Sequence, residues 1–252
     1  MTPFPYDLTG PIGAGATLGL IVLQVDETIE QDFRRLFAAE DLALYVSRIP
    51  SGDDLNPDTI AQMEATLPRA AGLLPPAAAF DAVGYGCTSG TTLIGAHRVA
   101  ELVKSAARTH HVADPLTAAL AAMRALGARS VGIVSPYIDS VAQPIRAAFE
   151  RAGFPVPATV SFGEQVEARV ARIDPLSIRS AALAVGAEPG VDAVFLSCTN
   201  LRTLDILDEL EQTLGLPVVS SNQALAWQMM QQAGLAPPPR APGRLFRSGA
   251  QT

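Results

Sequence analysis

Two cysteines, the only ones in a chain of 252 residues, sit in two copies of one pattern. Residues 81–93 read Asp-Ala-Val-Gly-Tyr-Gly-Cys-Thr-Ser-Gly-Thr-Thr-Leu, and residues 192–204 read Asp-Ala-Val-Phe-Leu-Ser-Cys-Thr-Asn-Leu-Arg-Thr-Leu. The common frame, D-A-V-x-x-x-C-T-[SN]-x-x-T-L, sets Cys87 and Cys198 111 positions apart, each after an apolar run and before a helical one. A thiol becomes a useful base or nucleophile once its pKa falls below the usual value of about 8.5, and the unpaired N–H groups at a helix mouth favour the thiolate. Those N–H groups can also hold a carboxylate. Thr88, Ser89 and Thr91 add hydroxyls around the first cysteine, Gly90 allows close backbone approach, and Thr199 and Asn200 take corresponding places at the second. Two thiols flanking one carbon can remove a proton from one face and deliver one to the other, the geometry of a racemase or isomerase. The competing reading is a pair of inert cysteines packed as small hydrophobes at strand ends.

Strands and helices must alternate to place those loops. Leu18–Leu23, Leu42–Ile49 and Asp81–Gly86 read as strands, with helices over 27–39, 57–74 and 91–108. Pro50–Asp54 reads as a loop, and prolines 75 and 76 close the second helix. The cycle restarts with a helix over 115–126, a strand over 130–135, a helix over 138–152 and a strand around 156–162. Helices over 175–187, 202–214 and 221–232 and strands over 193–197 and 217–219 complete it. Met1–Ala16 reads as an irregular arm and Ala236–Thr252 as a mobile tail. Gly19-Leu-Ile-Val…Asp26 repeats as Gly132-Ile-Val-Ser…Asp139 at an offset of 113. The pattern predicts an α/β fold of two pseudo-symmetric lobes, each a four-stranded parallel sheet flanked by helices, with the active site in the cleft between them. The lobes would be 1–112 plus 221–252, and 113–220. One continuous doubly wound sheet is the alternative.

Composition narrows the function classes. Hydrophobic residues make up 48% and charged residues 17%, enough for a sizeable core. A formal charge of −7 gives no footprint for nucleic acid, no apolar run is long enough to span a bilayer, and no signal peptide is visible. The cytoplasm is the default compartment, where a disulfide fits poorly. His97, His110 and His111 lack ligand spacing with either cysteine, so zinc is disfavoured. His97 is placed on a helix flank and the His110–His111 pair in the crossover between lobes. Lys104, the only lysine, lies on a solvated face with Arg98, Glu101 and Arg108, which disfavours a pyridoxal Schiff base. Gly13–Gly19 precedes a strand and Gly84-Tyr-Gly86 lacks the third glycine, so neither is a dinucleotide fingerprint. The reading is a cofactor-free enzyme for a small carboxylate or amino-acid-like molecule, assembled as a homo-oligomer like most soluble enzymes of this size, with a non-catalytic metabolite-binding protein as the alternative.

The G-C-T-S-G-T and S-C-T-N pair, with Gly-Leu-Ile-Val near the start and Ser135-Pro136-Tyr137, resembles the aspartate/glutamate racemase superfamily. Within it the chain is similar to the maleate isomerase and arylmalonate decarboxylase branch. It is most similar to the ectoine-utilization A proteins, through Val25–Glu30, Pro50–Leu55 and Ser220–Leu225. The resemblance implies cofactor-independent chemistry with Cys87 and Cys198 on opposite faces of the substrate. In the isomerases the first cysteine attacks the double bond and the second donates a proton; in the racemases the two swap as base and acid. Decarboxylases of the branch need only one of them. Tyr137 falls where the isomerases contact a substrate carboxylate. Asp26 and Glu167 fall where those enzymes carry asparagines, and two anions against a dicarboxylate would repel. The substitution suits a substrate with an ammonium or amidinium group, as in an amino acid or ectoine-like compound. The alternative for Asp26 is a helix cap.

Overall fold

The computed structural model describes residues 3–52 and 57–248. Eight strands form two separate parallel sheets. The first contains β1 (Ala16–Leu23), β2 (Leu42–Ile49), β3 (Phe80–Gly86) and β4 (Thr109–Ala113) in the order β2-β1-β3-β4. The second contains β5 (Gly132–Ser135), β6 (Thr159–Ser161), β7 (Val194–Leu196) and β8 (Val218–Ser220) in the order β6-β5-β7-β8. The two orders are the same, as the internal repeat requires. Every residue of β1 is buried, the signature of a parallel strand covered on both faces. Pairing of Leu18 with Leu44 and Ala82, and of Ile133 with Thr159 and Phe195, makes β1 and β5 interior strands, beside β3 and β7.

Helices α1 (Ile29–Leu36), α2 (Pro57–Ala71), α3 (Thr88–Ile94) and α4 (Ala96–Lys104) accompany the first sheet, and α5 (Pro115–Ala125) follows the crossover out of it. Around the second sheet run α6 (Asp139–Arg151), α7 (Glu167–Val170), α8 (Pro175–Gly186) and α9 (Leu207–Leu214). After β8 the chain returns through α10 (Ser221–Ala233), which packs on α5, α1 and β3 of the first half, with Met229 seated over Gly84. Asp114 caps α5 at Thr117 N–H and Ser220 caps α10 at Gln223 N–H, so both crossings begin on side-chain caps.

Several elements differ from the sequence reading. The histidine pair lies within β4, not in a crossover: His111 pairs with Ala82 on the sheet edge, where exposed polar side chains hide the strand pattern. The single helix expected over 91–108 is two, because Gly95 adopts φ +92° between α3 and α4, and the first starts early at Thr88 because Cys87 caps it. β6 is shorter than expected because Pro155 and Pro157 cannot donate to the ladder. The C-terminal stretch is not a mobile tail through Ser248. Leu245 and Phe246 of α11 (Arg244–Ser248) are buried, and Arg244 and Arg247 bond to Glu211 and Asp208. Asp53, Asp54 and Leu55 of the loop after β2 lie outside the described residues. No helix among the described residues is long and apolar enough to cross a membrane.

Candidate active site

In each sheet the first and third strands are neighbours, and their following segments diverge at the carboxyl edge, where α/β folds open a crevice. Asp26 follows β1, Cys87 follows β3, Tyr137 follows β5 and Cys198 follows β7. The site is enclosed: Cys87, Cys198, Tyr137, Asp26 and Glu167 are each at most 3% exposed.

Cys87 is the N-cap of α3. Its sulfur accepts the Gly90 N–H at 3.1 Å, with the Ser89 hydroxyl 3.6 Å away, while the Tyr85 phenol donates to the Met63 sulfur at 3.8 Å. Gly90 permits this, since a β-carbon there would lie 2.6 Å from the Tyr85 hydroxyl and 2.8 Å from the Cys87 sulfur. The Cys87 carbonyl accepts from the Thr91 hydroxyl at 2.9 Å. At the second loop the Asn200 N–H lies 3.4 Å from the Cys198 sulfur, and the buried Tyr137 phenol is close enough to act on that thiol's pKa. Cys198 has φ +149°, the sole positive value for a non-glycine among the described residues.

The sequence reading expects the helix mouth to lower the thiol pKa. Burial overrides it. The Cys87 thiol is pushed up to about 11 by burial, with the Glu167 carboxylate raising it further against the lowering by Ser89 and Gly90. The Cys198 thiol is pushed well up by burial and then by Glu167. Both are therefore thiols at neutral pH.

Asp26 is held from within the protein. Its Oδ1 accepts the N–H groups of Thr28 and Ile29 at 2.8 and 2.9 Å, and its Oδ2 accepts the Thr199 hydroxyl at 2.8 Å. Burial raises its pKa, and these three donors oppose that rise. It therefore steadies the entry to α1 and ties the second cysteine loop to the first sheet. Glu167, on α7, accepts Asn200 Nδ2 at 2.9 Å on Oε2, and among the described residues no donor meets Oε1. Burial raises the Glu167 pKa to about 7, Asn200 lowering it and Asp26 raising it. Asn200 is oriented by its other contacts: its Oδ1 accepts the Glu27 N–H at 2.9 Å, which fixes the amide, and its carbonyl accepts the Thr28 hydroxyl. Thr88 and Ser89 are buried beside Cys87.

The structure thus gathers Cys87, Thr88, Ser89, Tyr137, Glu167, Thr199 and Asn200 with Asp26 in one buried cluster. His97 is 90% exposed in its side chain, and Lys104 is exposed at the end of α4. Sequence reasoning missed Tyr85, Asp32, Ser221 and Asn222. Asn222 donates from Nδ2 to Asp32 Oδ2 and to the Thr199 carbonyl, both at 2.8 Å. The available signal was the polar run Ser220–Gln223 at a helix mouth after a short apolar strand.

The profile of the arylmalonate decarboxylase family matches residues 78–246. Arylmalonate decarboxylase of Bordetella bronchiseptica is 36% identical over 132 residues, a match covering 52% of this chain and 55% of that enzyme. Maleate isomerase of Pseudomonas putida KT2440 is 28% identical over 247 residues, covering 92% of this chain and 97% of that enzyme. A liganded double mutant of arylmalonate decarboxylase superposes with a TM-score of 0.81 at 28% identity, covering 92% of this chain and 98% of that one.

Proposed function

The chain belongs to the arylmalonate decarboxylase family, and from that membership we propose that it is a cofactor-independent isomerase using Cys87 and Cys198 on a small amino-acid-like carboxylate. The observation that carries the reading is Glu167: a buried carboxylate whose field reaches both thiols and adds to the rise that burial imposes on them. A substrate ammonium beside Glu167 neutralises that field and lowers both thiol pKa values, so the base forms when substrate is present. One thiolate then takes the α-proton, and the electron pair moves into the substrate carboxylate as an enediolate. The opposite thiol gives its proton to the other face and becomes the thiolate. Backbone N–H groups at the α3 mouth with Thr88 and Ser89, and Tyr137 with Thr199 and Asn200 across the cleft, are assigned to the substrate's carboxylate and its developing charge. Asp26 is assigned a supporting electrostatic part. Diamino acids from ectoine breakdown, such as 2,4-diaminobutyrate and its acetylated forms, are the first candidates through the resemblance.

Maleate cis-trans isomerisation is the second reading, favoured by the P. putida maleate isomerase that matches over nearly its whole length. Incubation in D₂O with ectoine, 2,4-diaminobutyrate and its acetylated forms, aspartate, glutamate, maleate and phenylmalonate separates the two. Proton NMR should show loss of one amino-acid α-proton signal, abolished by Cys87→Ser and by Cys198→Ser. Fumarate from maleate, without α-proton exchange, would replace the amino-acid reading with the isomerase one.

A further inference from the structure

Ser221 is fully buried at the start of α10, and its hydroxyl meets both cysteine loops. The oxygen accepts the Cys198 N–H at 3.1 Å and lies 2.9 Å from the hydroxyl of Thr88, the residue after Cys87. A hydroxyl carries one proton and two lone pairs. With a lone pair on the Cys198 N–H, the Ser221 proton is available to Thr88, so one atom spans the two loops.

The two cysteines differ in how much help they need. Cys87 is held by its own helix, through Gly90 N–H on the sulfur and Thr91 N–H on the carbonyl. Cys198 instead sits at φ +149°, a conformation that strains a side chain and persists only where neighbours hold it. Those neighbours are Ser221 on its N–H, Asn222 on the next carbonyl and Asp26 on the next hydroxyl. The geometry points to Ser221 as a positioning residue: it holds the strained Cys198 backbone that aims the second thiol, and fixes that thiol's place relative to Cys87 through Thr88. The inference rests on the two-thiol reaction proposed above, in which both sulfurs must face one carbon.

Ser221→Ala removes the bridge, and Ser220→Ala is its control. Ser220 caps α10 at Gln223 N–H and bonds neither cysteine loop among the described residues. In Ser221→Ala, kcat for α-proton exchange should fall about 100-fold with KM changed less than about threefold, as for a small misplacement of a reacting group. Peptide mass spectrometry after timed iodoacetamide treatment should show the Cys198-to-Cys87 labelling ratio rising at least about fivefold, because Cys87 keeps its own helix contacts whereas Cys198 loses the bond on its N–H. Ser220→Ala should lower Tm and leave that ratio unchanged. An unchanged ratio in Ser221→Ala, or an equal change in Ser220→Ala, overturns the assignment. If the wild type turns over none of the panel, the proposed substrate class fails, while the labelling ratio still decides the role of Ser221.

Discussion

Asn200 donates to Glu167 Oε2 at 2.9 Å while accepting the Glu27 N–H at 2.9 Å, so one side-chain amide joins the second cysteine loop to α7 and to the entry of α1. This places the least compensated carboxylate of the cleft where its charge acts on both sulfurs.

That carboxylate makes stability depend on pH. The Glu167 pKa rises from 4.5 unfolded to about 7 folded, so the folded state holds the proton more tightly. Its contribution is fully present below about pH 4.5 and is lost as pH rises through 7, a change of about 3 kcal/mol. Asp32, raised from 3.8 to about 6 by burial, has the same sign in a lower window. Urea midpoints between pH 5 and pH 8 should fall in the wild type, and Glu167→Gln should flatten the fall above pH 6.

Glu167→Gln should also speed thiol labelling. With a pKa of about 11, Cys87 is thiolate in only about one molecule in 10⁴ at pH 7, so iodoacetamide should act slowly on the free enzyme. Removing the nearby anion lowers the thiol pKa and should raise the labelling rate several-fold. An equal rate in the two proteins would dissociate Glu167 from the thiols.

Asp26→Asn should fold well. The amide oxygen can keep the Thr28 and Ile29 N–H groups, and the Thr199 hydroxyl can turn its proton to the Gly86 carbonyl, 3.3 Å away, and accept from the new amide. Stability should change by less than about 1 kcal/mol, whereas Asp26→Ala strands the Thr28 and Ile29 N–H groups and should cost about 2 kcal/mol or more. In the folded Asn variant, kcat/KM should fall for a cationic substrate and rise for a dicarboxylate.

Gly90→Ala should cut activity about 100-fold or more with the fold retained. The added methyl must move Tyr85 or Cys87, since it would lie within 2.8 Å of both polar atoms, and the sulfur loses its N–H donor. Circular dichroism and turnover together test this.

By itself, the sequence determined the strand–helix alternation, the doubling of the chain and the two cysteine loops, because apolar periodicity and repeated motifs are local signals. It also marked Thr88, Ser89, Tyr137, Thr199 and Asn200 as neighbours of those loops or of a matching strand end. It could not reveal β4, whose polar edge residues lack a strand pattern, or the docking of Leu245 and Phe246. The state of the site was decided by tertiary structure alone. Asp26 is both an α1 anchor and a partner of Thr199, a residue 173 positions away, and Ser221 reaches both cysteine loops from a third segment. The thiol pKa values rise because enclosure outweighs the helix mouth. Burial and long-range hydrogen bonds arise only when distant segments meet, so no local pattern encodes them.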